Sequence, residues 1–113
     1  MILYGLKNCD TCRAALKALS VEKDVDFVDV RAMPLDPETL GRFLDRFGEA
    51  LVNRRSTTWR GLSAEERAKA PEALLSAHPA LMKRPVIDDG GALHLGWTPD
   101  VRASLLGSGK AVD

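Results

Sequence analysis

The stretch Ile2-Leu3-Tyr4-Gly5-Leu6-Lys7-Asn8-Cys9-Asp10-Thr11-Cys12 decides how this chain folds. Residues 2–6 form an unbroken apolar run, the pattern of a buried strand. From Thr11 to Ser20 the period changes. Cys12, Ala15, Leu16 and Leu19 recur at i, i+3, i+4 and i+7, so one stripe of a helix faces a core and Arg13 and Lys17 lie off it. Cys9 stands where strand hands over to helix. Unpaired backbone N–H groups and the positive end of the helix dipole meet there, and both favour a thiolate. Cys12 lies one turn further along, on the buried stripe.

Outward from this junction, Asp26–Val30 reads as a second strand. Pro37 opens a helix whose Leu40, Phe43, Leu44 and Phe47 make an apolar stripe ending at Gly48. A short turn at Ala50-Leu51-Val52 leads into the polar stretch Asn53–Arg60, where Trp59 is expected to pack in the core of a capped loop. Ser63-Ala64-Glu65-Glu66 is a capping box. Pro71 starts a further helix running to about His78, and Pro79 stops it. Two short strands, Pro85–Asp88 and Ala92–Leu95, flank the hairpin signal Asp89-Gly90-Gly91. Thr98-Pro99 caps a last helix reaching Leu106; Gly107 ends it and residues 108–113 are expected to fray. The order predicts an α/β fold: a thioredoxin-like core (β-α-β + β-β-α) with an inserted helical subdomain at about 37–80, in a single domain spanning 1–113.

Bulk properties narrow the function. At 113 residues the chain can build a core without disulfide staples. Lys+Arg and Asp+Glu balance at 16 each, which disfavours a generic nucleic-acid or membrane-surface binder. No apolar run approaches a membrane span and no export signal precedes the first strand, so a cytoplasmic location is expected. Two cysteines in C-x-x-C spacing then read as redox or metal chemistry. A closed zinc site needs four ligands, and the other soft candidates, His78 and His94, lie far along the chain, so no metal is expected. Lys7 and Arg13 are near enough in sequence to help acidify Cys9. Arg54, Arg60, Arg67, Lys69 and Lys83 are expected on the solvated surface.

Three segments carry a resemblance to a known family: Tyr4-Gly5-Leu6-Lys7-Asn8-Cys9-Asp10-Thr11-Cys12-Arg13, Arg55-Ser56-Thr57-Thr58-Trp59-Arg60-Gly61-Leu62, and Lys83-Arg84-Pro85-Val86-Ile87. In order and spacing the chain resembles the ArsC/Spx family, most closely its YffB-like branch, over about residues 1–107. The resemblance implies a thioredoxin-like core with a helical insert and a nucleophilic Cys9. Arg84 matches the family's Arg-Pro motif and Arg55 its middle arginine in the Spx and YffB-like branches. Catalytic candidates are therefore Cys9, Cys12 and Arg84, with Asn8, Arg13, Arg55 and Pro85 as substrate-binding candidates. The Arg84–Pro85 bond is a candidate cis peptide, since thioredoxin-like folds set a cis-proline opposite the active cysteine.

True arsenate reductases carry further arginines where this chain has Asn53 and Trp97. The leading expectation is thus a glutathione- or thiol-dependent oxidoreductase, with glutathione or a protein thiol as partner and co-substrate and no tightly bound cofactor. Arsenate reduction, with an oxyanion substrate, is one alternative. A Spx-like redox regulator that binds RNA polymerase is another. Neither direct nucleic-acid nor membrane binding is expected.

Overall fold

The computed structural model describes residues 1–106; Gly107 and the expected frayed tail lie outside the described residues. In chain order the elements are β1 (Ile2–Gly5), α1 (Asp10–Ser20), β2 (Asp26–Asp29), α2 (Pro37–Phe47), α3 (Thr57–Arg60), α4 (Ala64–Arg67), α5 (Pro71–Ala77), β3 (Val86–Asp89), β4 (Ala92–Leu95) and α6 (Pro99–Leu106), with 3-10 turns at Gly48–Leu51 and Pro79–Leu81. The chain divides into two compact units, one made of Met1–Val28 with the chain from Arg84 onward, the other of Asp29–Lys83.

The first unit carries the thioredoxin-like core, a four-stranded mixed sheet in the order β2-β1-β3-β4. β1 lies in the middle, which is why its sequence is apolar at consecutive positions rather than alternating. It pairs antiparallel with β3 in the register Leu3↔Ile87 and Tyr4↔Val86. β3 pairs in turn with β4, with Ile87↔His94 and Asp89↔Ala92. The hairpin turn is the two-residue Gly90-Gly91, both at positive φ, and Asp88 Oδ1 accepts from the Gly91 N–H at 2.8 Å. Asp89, expected in the turn, is the last paired residue of the strand instead.

Helix α1 buries Cys12, Ala15 and Leu19 as its spacing predicts, against Leu3, Ile87 and Leu105. Leu16, on the same expected stripe, is only half-buried at its margin. Thr98 caps α6, its Oγ1 accepting from the Val101 N–H at 3.3 Å. The second strand is one residue shorter than the sequence suggests. Asp29 Oδ1 accepts from the N–H groups of Arg31 and Ala32, at 2.9 and 3.1 Å, which curls the chain into a turn before Val30 can extend it.

The second unit is helical. Three of its four α-helices start with a side-chain cap: Asp36 on Thr39, Ser56 on Trp59 and Ser63 on Glu66. Its buried apolar side chains include Leu40, Phe43, Leu51, Leu74, Leu81 and Met82. Pro79 ends α5 as expected, but the chain then tightens into a 3-10 turn rather than a loop.

Candidate active site

Gly5 ends β1, Lys7 and Asn8 make an exposed turn, and Cys9 follows as the N-cap of α1 with extended backbone (φ −93°, ψ 117°). Two backbone bonds fix it there. The Cys9 N–H donates to the Leu6 carbonyl at 3.2 Å, and the Cys9 carbonyl accepts from the Arg13 N–H at 3.0 Å. Arg13 closes the loop from outside, donating from Nε to the Lys7 carbonyl at 3.0 Å. That is a different task from acidifying the thiol, for which the sequence put Lys7 and Arg13 forward. Asn8 is carried on the exposed turn immediately before the sulfur.

Cys12, the third helical residue, is wholly buried. It fits only because residue 5 is glycine: a Cβ there would collide with Cys12 Sγ and lie 3.2 Å from Cys12 Cβ. Sequence reading passed over Gly5 as part of an apolar run. The signal was available, since a glycine inside a strand marks a close approach by another group.

On the neighbouring strand, Arg84 is joined by a cis peptide bond to Pro85, which leads directly into β3. Pro85 is fully buried, and its carbonyl accepts from the N–H of Gly96 at 2.7 Å. Gly96 takes a positive φ of 83° at the exit of β4, a second residue that sequence reading did not connect with the site.

The electrostatics of the two thiols diverge. Burial works to raise the Cys9 pKa. The Cys12 N–H, the Cys12 thiol and the Arg84 guanidinium outweigh it and hold Cys9 below its ordinary value. As N-cap the Cys9 sulfur closes no formal capping bond. The nearby donors act on the charge that develops when it ionises. Burial pushes Cys12 up to about 12, aided by the Cys9 charge and only partly opposed by the Leu6 backbone and Arg84. The pair is therefore divided into a sulfur at the helix entrance whose ionisation is favoured and a buried one beneath it that holds its proton to higher pH.

The remaining candidates belong to the second unit. Arg55 is exposed on the loop before α3, where its N–H donates to Asn53 Oδ1 at 3.0 Å. With Asn53, Arg54 and Lys83 it lines an open basin of about 700 Å³. Trp59 departs from expectation: it is half-buried between two guanidinium groups, Arg54 at 5.3 Å and Arg67 at 5.5 Å from its ring, rather than packed in the core. The neighbouring arginines are exposed, as expected, and are also bonded to their own segment. Arg60 donates to the Arg55 carbonyl at 2.9 Å, Arg67 to the carbonyls of Trp59 and Arg60 at 3.2 and 3.1 Å, and Arg54 pairs with Glu49 at 2.8 Å. His78, at the C-terminal end of α5, meets Glu66 at 3.0 Å. No cluster of metal-ligating side chains occurs among the described residues, and no helix among them is long and apolar enough to cross a membrane.

A thiol at a helix entrance, a buried second thiol and an Arg–cis-Pro step are the features on which relatives can be compared. The model of the ArsC family matches residues 4–104. The chain belongs to the ArsC family. It is 40% identical over 98 residues to an uncharacterized protein of Haemophilus influenzae, covering 80% of this chain and 86% of that one. A solved YffB protein superposes with a TM-score of 0.83 at 37% identity, over 93% of this chain and 97% of its own. An arsenate reductase (ArsC) related protein from Brucella melitensis gives a TM-score of 0.70 at 36% identity, over 93% and 92%. Within the ArsC family these similarities are those of the YffB-like branch.

Proposed function

We propose that this ArsC-family protein is a thiol-disulfide oxidoreductase with Cys9 as nucleophile and glutathione or a protein thiol as its partner. The observation that supports this most directly is the convergence on one sulfur of a helix entrance, a buried thiol and Arg84. The Cys9 thiolate attacks one sulfur of a disulfide. The substrate S–S bond breaks, its other sulfur leaves as a thiolate, and Cys9 is held in a mixed disulfide. A second thiol then attacks the mixed disulfide: attack at the Cys9 sulfur expels the substrate sulfur as a thiolate, and attack at the substrate sulfur expels the Cys9 thiolate. Glutathione performs this step from solution. Cys12 performs it from within, forming a Cys9–Cys12 disulfide that an external thiol later reduces. Arg84 contributes a fixed positive charge that stabilises the attacking thiolate and receives a carboxylate or oxyanion of the substrate. No step calls on a metal or a bound organic cofactor.

The test is Cys9→Ser assayed for glutathione-dependent reduction of small mixed disulfides. Activity falls to background if the reading holds, and full activity in the variant would refute it.

Arsenate reduction is a second reading, favoured by the family and by the similarity to the Brucella melitensis protein. In it, Cys9 forms a thiol–arsenate adduct. The positions that hold further arginines in arsenate reductases are otherwise occupied here. Asn53 turns its side-chain oxygen to the Arg55 N–H, and Trp97 packs against the core with Arg102 over its ring at 5.8 Å. Arsenate-dependent consumption of NADPH, coupled through glutathione and glutaredoxin, distinguishes the two reactions.

A further inference from the structure

Within the second unit, residues 51–53 and 81–83 run antiparallel across a single bridge, Val52 to Met82. The Asn53 N–H donates to the Leu81 carbonyl at 2.8 Å, and the Lys83 N–H to the Leu51 carbonyl at 2.7 Å. Leu51, Val52, Leu81 and Met82 are buried, so this short ladder is anchored by apolar packing. Asn53 then fixes the turn that follows. Its Oδ1 accepts from the Arg55 N–H at 3.0 Å and its carbonyl from Ser56 Oγ at 2.9 Å. Ladder and turn together carry Arg54, Arg55 and Lys83 to the open basin, whose lining holds one carboxylate, that of Glu49.

The three cations differ in what they are left to do. Arg54 is paired with Glu49 and lies over the ring of Trp59. The charged ends of Arg55 and Lys83 are exposed and meet no carboxylate, carbonyl or ring among the described residues. Three cations against one carboxylate leave the basin at +2, on a chain whose formal charge is zero. Because the backbone that bears this surplus is already hydrogen-bonded in place, little ordering is left to be done when an anion arrives.

We propose that this basin is the docking surface for a protein partner and that it takes an exposed segment of that partner carrying several carboxylates. At about 700 Å³ the basin is wide for one carboxylate, and only Ala50 and Val52 in its lining are apolar, so it offers no seat for a large apolar anchor. An extended acidic segment can set one carboxylate on the Arg55 fork and another on the Lys83 ammonium. A nucleic acid also brings anions, but single strands bind through bare aromatic rings as well. Trp59, the aromatic residue of this segment, already lies between Arg54 and Arg67. No bond is made or broken in this role. It is separate from the Cys9 chemistry and stands or falls without it.

The test uses a fluorescein-labelled peptide rich in glutamate and free of cysteine, titrated with the full chain and followed by fluorescence anisotropy. Glutamine-rich peptide and a single-stranded oligonucleotide of matched charge are run beside it. The glutamate peptide is expected to bind at low ionic strength and to weaken severalfold as salt approaches the physiological range, while the glutamine peptide does not bind. Lys83→Glu and Arg55→Glu each weaken binding by about fivefold to tenfold. Lys17→Glu, the same charge change on the exposed face of α1, leaves it unchanged. Circular dichroism checks folding, and Lys83→Gln, which removes the charge without reversing it, gives an intermediate loss. A glutamate peptide that fails to bind at low salt overturns the proposal. So does a Lys17→Glu loss equal to that of Lys83→Glu, which would mean attraction to the surface at large. An oligonucleotide that binds as tightly as the peptide, with the same sensitivity to Lys83→Glu, overturns it in favour of a phosphate backbone.

Discussion

The junction of β1 with α1 and the segment from Arg54 to Lys69 are both dense in chemically capable side chains, and they are held in opposite ways. At the junction, apolar packing does the placing. Leu3, Leu19 and Ile87 fix the helix, and the two sulfurs take different environments because one lies inside that packing and the other at its edge. Along the second segment, polar groups do the placing. Arg60 and Arg67 bind backbone carbonyls, Arg54 and Arg67 cover the ring of Trp59, Ser56 and Ser63 cap single turns, and Glu66 meets both Lys69 and His78. A run of arginines in a sequence suggests an anion site. Here several of those guanidinium groups are occupied in holding the chain that bears them.

If this contrast is right, removing apolar atoms costs most at the junction. Leu19→Ala is expected to destabilise the protein by about 3 kcal/mol, because Leu19 has no exposure and its loss leaves a cavity; urea unfolding measures it, and a loss below about 1 kcal/mol would break the comparison. Arg84→Ala should leave stability nearly intact while lowering thiol-transfer rate at neutral pH by about tenfold and moving the pH–rate profile upward, since a contributor to the thiolate is lost. A profile that does not move would remove Arg84 from the site.

Cys12 gives a smaller effect with a definite sign. Its folded pKa, about 12, lies above the ordinary 9.0, so the unfolded chain loses this proton first and stability declines as pH rises through that interval. The urea midpoint of the parent should therefore fall more steeply between those values than that of Cys12→Ala; parallel curves would contradict the buried, protonated thiol. Least of all, Arg67→Ala is expected to cost about 0.5–1 kcal/mol, the value of exposed hydrogen bonds and a surface cation–π contact. Fluorescence of Trp59 should register that change locally, and a loss comparable to that of Leu19→Ala would erase the distinction between the two regions.

What the sequence made legible follows the same division. Periodicity located α1 and α2, turn glycines located the hairpin, and Thr98-Pro99 located α6, because each signal comes from neighbours in the chain. For the candidate site the sequence offered Cys9, Cys12 and the Arg84–Pro85 step, which fall in one unit of the chain with the proline bond cis. A glycine inside a strand signalled some close approach at Gly5, but not that Cys12 makes it, since only the crossing of α1 beneath β1 brings the two together. Trp59 was misjudged for a related reason: large aromatics usually mean core, and the two guanidinium groups that cover this one, Arg54 and Arg67, come from five residues before it and eight after. Arg13 was read by proximity to Cys9, while its fork reaches back to a carbonyl six residues earlier.

The hairpin at the far end of the sheet sets the accuracy with which all this is achieved. Two glycines and the Asp88–Gly91 bond allow only one alignment of β3 with β4, and β3 passes that alignment to β1 through Tyr4↔Val86, beyond which the next residues are Gly5 and Pro85. A slip of a single residue would turn Val86, Ile87 and Asp88 to the opposite face and carry Arg84 along the strand by about 3.3 Å. The turn thus acts as a gauge block for the chemistry: it touches no reacting atom, yet it determines the tolerance to which an arginine is delivered to a sulfur that the other end of the chain supplies.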